Sequence, residues 1–193
     1  ARDDAAGEAF DKVAKRLGLG YPGGPVVEQA ARGGLEDAWP FRPASMSDGS
    51  RDFSFSGLKS AVVRAVTEQP SLLDPSAKEA RRDLTASFQW AAIRSLLRNT
   101  LLAAKEHHTR SVFVSGGVSA NTLLRERFTE ACSERGVEVY FPDRGLTSDN
   151  GAMIAAAGVK QFTRHGPHGL SLDATSKLKL TKDGWQHPSS GGM

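Results

Sequence analysis

The chain has 193 residues, of which 39% are hydrophobic and 24% are charged. This composition excludes a disordered tail, and the length allows one large domain or two small lobes. The formal net charge of +3 permits a polyanionic partner without requiring one. The single cysteine, Cys132, cannot form an internal disulfide, which predicts a cytoplasmic protein. No apolar run reaches membrane-spanning length, so no membrane association is predicted.

The first half of the chain is predicted to be mostly helical, from apolar residues at helical spacing and from glycine and proline at the breaks. The predicted elements are a helix over 3–18, a turn over 21–25, a helix over about 25–33, a loop or small ribbon over 35–52, a short strand over 52–57, and helices over 58–67 and 76–107. Glycines at 18 and 20 are expected to end the first helix.

The second half has the pattern of an α/β unit. The predicted elements are a buried strand over 112–114, a helix over 120–135, a strand over 137–141, a last helix over 148–162, and a loop from 164 onward that ends in a frayed tail over 188–192. Two strands do not make a stable sheet alone, so further strands are expected from elsewhere. Because the chain starts at Ala1 and not at Met, it is expected to be cut from a longer protein.

The fold class predicted from this pattern is α/β, divided into three parts. These are a helical segment with a short β ribbon over 1–110, a βαβα core over 111–162, and a loop and tail over 163–193.

The most informative motif runs from Val112 to Asn121, where an apolar β-branched run leads into paired glycines and then a helix. Glycines at such a corner let the backbone approach a ligand closely, and the helix that follows offers unpaired N–H groups to an anion. Asn121 opens that helix, where it acts as a cap or contacts a nucleotide through its amide. The motif therefore predicts a phosphate or nucleoside site.

Three further candidates each have a structural alternative. Asp11, on the first helix, either pairs with Lys15 one turn later or accepts hydrogen bonds from sugar hydroxyls. Gly24 belongs to a Pro-Gly-Gly-Pro turn, which forms without a ligand, or presents bare backbone to a ribose or base. Asp149, predicted in the first turn of the last helix, either stabilises the helix dipole or ligates a metal.

Five strings together resemble the bacterial TsaD family of tRNA N6-adenosine threonylcarbamoyltransferases, formerly catalogued as O-sialoglycoprotein endopeptidases. They lie in order and span about residues 1–162. The strings are Asp4–Lys12 (DAAGEAFDK), Tyr21–Pro25 (YPGGP), Phe53–Lys59 (FSFSGLK), Ser115–Asn121 (SGGVSAN) and Asp149–Ile154 (DNGAMI).

The resemblance implies one lobe of an actin, sugar-kinase and Hsp70 (ASKHA) type fold. It also implies transfer of threonylcarbamoyl from threonylcarbamoyl-AMP to N6 of adenosine 37 in tRNAs that read codons starting with A. On the matching positions, Asp11, Gly24 and Asn121 would bind the adenylate, with Glu28 as a further candidate near the ribose. Asp149 would be one ligand of a single divalent metal, Fe²⁺ or Zn²⁺. No catalytic base is identified.

The implied partners are tRNA and TsaB-like and TsaE-like proteins. Contacts to tRNA phosphates would come from basic residues that are otherwise ordinary solvated side chains, namely Lys12, Lys15, Arg16, Arg81 and Arg82. The family's amino-terminal half, with its His-x-x-x-His metal pair, has no counterpart here, so the chain alone is expected to be inactive and to bind metal poorly.

Two other functions are compatible with the same resemblance. One is a non-catalytic nucleotide-binding or assembly subunit, because this fold class also hosts such proteins. The other is a metalloendopeptidase, as the older family name suggests, although the 193 residues contain no His-Glu-x-x-His motif.

Overall fold

The computed structural model describes residues 3–43, 48–167 and 169, together with the strand residues 180–181 and 184–185. The helices are α1 (Ala6–Arg16), α2 (Gly23–Ala31), α3 (Ser56–Glu68), α4 (Lys78–Glu106), α5 (Thr122–Ser133) and α6 (Gly151–His165). The strands are β1 (Ser111–Phe113), β2 (Glu138–Tyr140), β3 (Leu180–Thr181) and β4 (Gly184–Trp185). Short 3-10 turns lie at Pro70–Leu73, Gly117–Ala120 and Arg144–Leu146. Contacts divide the chain into two units, Ala1–Asn150 and Gly151–Met193.

Helix α4 is the centre of the first unit, and α1, α2 and α3 pack around it. Phe88 of α4 is fully buried and meets the ring of Phe10 edge-on, with ring centroids 5.2 Å apart. Small polar residues on α4 are buried too, and they are hydrogen-bonded: the Ser87 hydroxyl donates to the Leu35 carbonyl and accepts from the Trp39 N–H. Burial around much of its circumference explains why α4 lacks a simple apolar stripe.

Strands β1 and β2 form a parallel pair in which Val112 lies opposite Val139 and Phe113 opposite Tyr140. Val139, together with Val114 just after β1, packs against a cluster around Phe128 of α5. Phe113 and Tyr140 lie on the other face, where their rings stack 4.9 Å apart and are 78% and 45% exposed. The prediction of a buried first strand is therefore wrong, because in the described residues only one face of the pair is covered.

The strand predicted over 52–57 is also wrong: residues 52–55 have no regular structure, and α3 begins at Ser56. The cause is Asp3, whose carboxylate accepts hydrogen bonds from the Phe55 N–H at 2.9 Å and from the hydroxyls of Ser56, at 2.7 Å, and Ser54. These donors bond to a side chain instead of a neighbouring strand. Asp4, next along the chain, pairs with Lys12 at 2.6 Å and Lys59 at 2.8 Å.

We expect these two aspartates to make folding acid-sensitive. Desolvation would raise the pKa of Asp3, but its hydrogen bonds from Ser54, Ser56 and Phe55 hold that pKa well below its usual value. Hydrogen bonds from Lys12 and then Lys59 lower the pKa of Asp4. A carboxyl group whose pKa is lower folded than unfolded stabilises the fold above its unfolded pKa, and that stabilisation is lost as the pH falls toward the folded value.

Urea unfolding at pH 6 and pH 3 checks this expectation. The free energy of unfolding of Asp4→Asn should fall less between pH 6 and pH 3 than that of the unsubstituted chain, because the variant has no Asp4 carboxylate to protonate. Asp74→Asn, an exposed aspartate with no ion pair among the described residues, should keep the original pH dependence. Equal pH dependence in all three chains would refute the assignment.

The second unit contains α6 and a two-stranded antiparallel sheet in which Leu180 pairs with Trp185 and Thr181 with Gly184. The loop predicted from 164 onward is thus wrong at the end of α6, which continues to His165, and at these strands. The tail predicted over 188–192 lies outside the described residues. Among the described helices, none combines the length and apolar character needed to cross a membrane.

Candidate functional site

The glycine corner follows β1, and its backbone is bare. Ser115, Gly116 and Gly117 are exposed, and a Cβ placed on either glycine would meet no atom within 4 Å. Gly116 has φ of 92°, a conformation that a residue with a side chain rarely adopts. Gly117 has no such requirement, so nothing in the described fold demands a glycine there. The corner therefore offers open main chain to a ligand.

Asn121 lies at the amino-terminal end of α5 and is only 6% exposed. Its Oδ1 accepts a hydrogen bond from the Leu124 N–H at 3.0 Å, and its Nδ2 donates to Oε1 of Gln89 at 3.0 Å. Glu28 of α2 reaches the same helix end, where its Oε1 accepts from the Thr122 N–H at 3.2 Å. The capping role predicted for Asn121 is confirmed. Its ligand contact stays a prediction, with one amide hydrogen and one lone pair left over.

Asp11 and Gly24 both lie at the amino-terminal end of α2. The Asp11 Oδ1 accepts a hydrogen bond from the Gly23 N–H at 2.7 Å. No ion pair joins Asp11 to Lys15 in the described part of the chain, so that interpretation of Asp11 is wrong. The neighbouring Gly24 has open space where a Cβ would stand.

Asp149 precedes the last helix instead of lying in its first turn, because α6 begins at Gly151. The Asn150 amide donates to the Ser148 carbonyl at 2.9 Å, which holds this segment in a turn. Asp149 is exposed. The preceding 3-10 turn is tied to α5, since Nη2 of Arg144 donates to Oγ1 of Thr122 at 3.1 Å.

The structure thus brings Asn121 and Glu28 together at one helix end and places Asp11 beside Gly23 and Gly24 at another. Helix α2 connects the two places, because it begins at Gly23 and carries Glu28. Helix α1 also lies close to the corner, because a Cβ placed on Gly7 would stand 3.7 Å from the Val118 side chain. Asp149 is joined to this group indirectly, through the preceding segment, which Arg144 bonds to Thr122 and Arg125 bonds at Pro142.

The side chains that could bind a metal ion are too few at any one place in the described residues to form a site. The described residues contain no group of three or more histidine, cysteine, aspartate or glutamate side chains placed to hold an ion. Asp149 is one suitable oxygen donor, but a single carboxylate does not hold a divalent ion. The described residues therefore do not by themselves fit the implied metal.

Two cavities differ in their relation to these residues. One of about 390 Å³ opens beside Glu28 and Thr122 and is also lined by Gln89 and Glu126. A larger one, of about 780 Å³, lies at the amino ends of the strands and contacts none of the predicted site residues. Its lining includes Arg98, Lys105, His108 and Arg135. The smaller cavity is the one that adjoins the capped end of α5.

Sequence reasoning missed three residues that shape this region. Gln89 is 5% exposed and holds Asn121; a polar residue inside an apolar run of α4 was the available signal. Arg125 donates to backbone carbonyls of the loops, and Arg144 donates to the hydroxyl of Thr122, the first residue of α5. The local sequence pattern does not indicate either contact. Cys132 is buried, which raises the pKa of its thiol, with a smaller opposing effect of Arg135, so it has no features of a nucleophile.

A parallel strand pair, a glycine corner and a capped helix at the carboxyl end of the strands together have the form of an α/β ligand-binding lobe. Comparison with known families makes this specific. The model of the TsaD family, described as tRNA N6-adenosine threonylcarbamoyltransferase, matches residues 1–156. With four-fifths of its length inside that match, the chain belongs to the TsaD family.

Three curated relatives carry the name tRNA N6-adenosine threonylcarbamoyltransferase. The protein of Moorella thermoacetica is 47% identical over 93% of this chain, and that of Desulfitobacterium hafniense is 49% identical over 93%. The protein of Symbiobacterium thermophilum is 47% identical over 92%. The matched segments make up 52%, 52% and 51% of these relatives, so the chain spans about half the length of the proteins that it matches.

Proposed function

We propose that this chain forms part of an enzyme that transfers threonylcarbamoyl from threonylcarbamoyl-AMP to N6 of adenosine 37 in tRNAs reading codons that start with A. The names of the relatives support the reaction class. The observation that carries the assignment of a site is the pair of open glycines, Gly24 and Gly117. Neither is needed by the described fold, and each adjoins a helix end with the predicted ligand residues.

In this proposal the adenylate lies along the amino-terminal ends of α2 and α5. These ends form one side of an ASKHA-type cleft whose other lobe comes from outside this chain. The corner N–H groups at Gly116 and Gly117 face the phosphate, because exposed backbone donors before a helix favour an anion. Asp11 and Glu28 accept from the ribose hydroxyls, and Asn121 contacts the nucleotide through its remaining amide hydrogen and lone pair.

The reaction is an acyl transfer to a weak nucleophile. The adenosine N6 attacks the carbamoyl carbon, the new C–N bond forms, the C–O bond to the phosphate breaks, and AMP leaves while the amine loses a proton. Holding the adenylate still beside the tRNA base supplies much of the rate gain, because proximity replaces a bimolecular encounter. No described side chain is assigned the role of base.

The remaining members of the proposal come from the resemblance. Asp149 serves as one ligand of a Fe²⁺ or Zn²⁺ ion whose other ligands lie outside the described residues. The partners are tRNA and TsaB-like and TsaE-like proteins in the cytoplasm. Of the basic residues first considered for tRNA, Lys12 pairs with Asp4 and Glu8, and Arg82 pairs with Glu79 and Asp83.

The test uses a chimaera in which this chain replaces the matching half of the Moorella thermoacetica relative. The measurement is transfer of radiolabelled threonylcarbamoyl from its adenylate to a tRNA with adenosine 37, compared with the same tRNA carrying guanosine there. Labelling of the first tRNA alone supports the proposal. A chimaera that folds and binds its tRNA but labels neither tRNA would contradict it.

Gly24→Ala provides a sharper prediction with a matched control. Gly24 and Gly57 are each the second residue of a helix, and both have open space at Cβ. Either substitution should stabilise the fold by about 0.4–1 kcal/mol, because alanine restricts the unfolded chain. Only Gly24→Ala should raise the KM for the adenylate, by about 10-fold, because the methyl group occupies the ligand's approach. Equal KM values in the two variants would remove Gly24 from the site.

A further inference from the structure

Two loops leave the same edge of the parallel strand pair. The first follows β1 and contains the glycine corner, ending at Asn121; the second follows β2 and leads to Asp149. Their carboxyl-side position puts both where ligands bind in open α/β sheets. Asn121 and Asp149 can belong to one site only if the spacing between these loops is fixed.

Arg125, one turn into α5, contacts both loops at once. Its Nε donates to the Ser119 carbonyl at 2.7 Å, and its Nη2 donates to the Pro142 carbonyl at 2.6 Å. Its guanidinium carbon lies 4.9 Å from the centre of the Phe141 ring. Hydrogen bonds this short are typical of a charged donor, and the rigid planar guanidinium directs two of its N–H groups to two separate carbonyls.

These contacts are made close to the site residues. Ser119 lies two residues before Asn121 and is 1% exposed, so the first loop is held at its buried point. Pro142 begins the segment that continues through the Arg144–Leu146 turn to Asp149. The Arg144 bond to Thr122 is the second tie between that segment and α5.

We propose that Arg125 is a positioning residue that fixes the separation of the glycine corner and the Asp149 loop. The proposal deepens the proposed function and rests on it for its catalytic consequence. Arg125 does not touch the reacting atoms; it acts by keeping the loop of Asn121 and the loop of Asp149 at a fixed spacing. Loss of its bonds lets the loops separate while α5 stays packed, through its own Leu124 and Phe128, against Ile93 of α4.

Arg127 supplies a matched control on the same helix. It has the same chemistry as Arg125: its guanidinium carbon lies 5.2 Å from the Trp90 ring centre, and its Nη2 donates to Glu36 at 3.1 Å. Neither of these partners belongs to either loop. A merely structural role for Arg125 therefore predicts that Arg125→Met and Arg127→Met behave alike.

The first arm measures loop spacing in this chain without reference to activity. Spin labels are placed at Ser115→Cys and Asp143→Cys, both exposed sites, in a Cys132→Ser background. We expect one narrow distance distribution with Arg125 intact and in Arg127→Met. In Arg125→Met the distribution should broaden or shift, and Arg125→Lys should be intermediate because an ammonium group can hold one carbonyl. Identical distributions in all four chains would overturn the proposal.

The second arm measures transfer by the chimaera. We expect kcat to fall by about 100-fold in Arg125→Met, with Arg125→Lys in between and Arg127→Met unchanged, while the KM for tRNA stays constant in all. Parallel losses in Arg125→Met and Arg127→Met would overturn the positioning role. A chimaera with Arg125 intact that transfers nothing would instead contradict the proposed function, and the spin-label distances would still decide whether Arg125 sets the loop spacing.

Discussion

Gly23→Ala is expected to destabilise the first unit by about 3 kcal/mol, a large effect for adding one methyl group. A Cβ on Gly23 would stand 2.5 Å from the Cα of Asp11, 2.6 Å from its N, and 2.6 Å from the carbonyl carbon of Phe10. All three are backbone atoms, so relief requires α1 and α2 to move apart. That movement also stretches the bond from the Gly23 N–H to Asp11.

Chemical denaturation of this chain measures the effect, with Gly24→Ala as the control from the adjacent position. Gly24→Ala should raise the stability by about 0.4–1 kcal/mol, because its Cβ would meet no atom within 4 Å and alanine restricts the unfolded chain. The paired glycines therefore have separate roles: Gly23 permits the helix contact, and Gly24 is free for a ligand. A stability loss for Gly23→Ala below about 0.5 kcal/mol would show that the close approach of α1 and α2 is wrong.

Asn121→Ala is expected to cost about 2–4 kcal/mol of folding free energy. The substitution removes the acceptor for the Leu124 N–H, a helix-cap loss worth about 1 kcal/mol. It also leaves the buried Oε1 of Gln89 without its donor, which costs about 1–3 kcal/mol more. The second cost depends on Gln89 keeping its amide.

A double variant separates these two costs. Asn121→Ala combined with Gln89→Leu should recover about 1 kcal/mol or more relative to Asn121→Ala alone, because no buried amide is then unpaired. Asn121→Asp, which keeps an oxygen to cap α5, should be less damaging than Asn121→Ala. If the double variant lost more free energy of unfolding than the two single variants lose together, the pairing of Asn121 with Gln89 would be refuted.

Periodicity predicted most of the described α-helices well because their apolar residues repeat at helical spacing. Helix α4 is buried around much of its circumference, so its length indicated a helix more clearly than any single apolar stripe did. The strand predicted over 52–57 failed because Phe53 and Phe55 alternate with serines, as in a strand, while Asp3 binds the donors that a strand would need. Asp3 lies about 50 residues away in sequence, and local pattern carries no information on such a contact.

The candidate site shows the same division between local and distant information. The cap formed by Asn121 was predictable, because asparagine before a helix favours it. The contacts of Glu28 with Thr122 and of Arg125 with Ser119 and Pro142 were not, because they depend on how α2, α5 and the loops pack together. Asp149 was predicted inside a helix that starts at 148, but α6 starts three residues later, at Gly151, and the Asn150 amide bonds instead to the Ser148 carbonyl.

Hydrogen exchange of the chimaera, with and without a non-hydrolysable threonylcarbamoyl-adenylate analogue, tests the proposed binding site most directly. We expect the analogue to slow exchange of the backbone N–H groups at Gly24, over 115–119 and at Leu123, which lie at the first ends of α2 and α5 and at the glycine corner. The backbone N–H groups of the residues that line the other cavity, such as Arg98 and Lys105, should exchange at the same rate with and without the analogue. Protection confined to that cavity, with none at the three expected segments, would contradict the site.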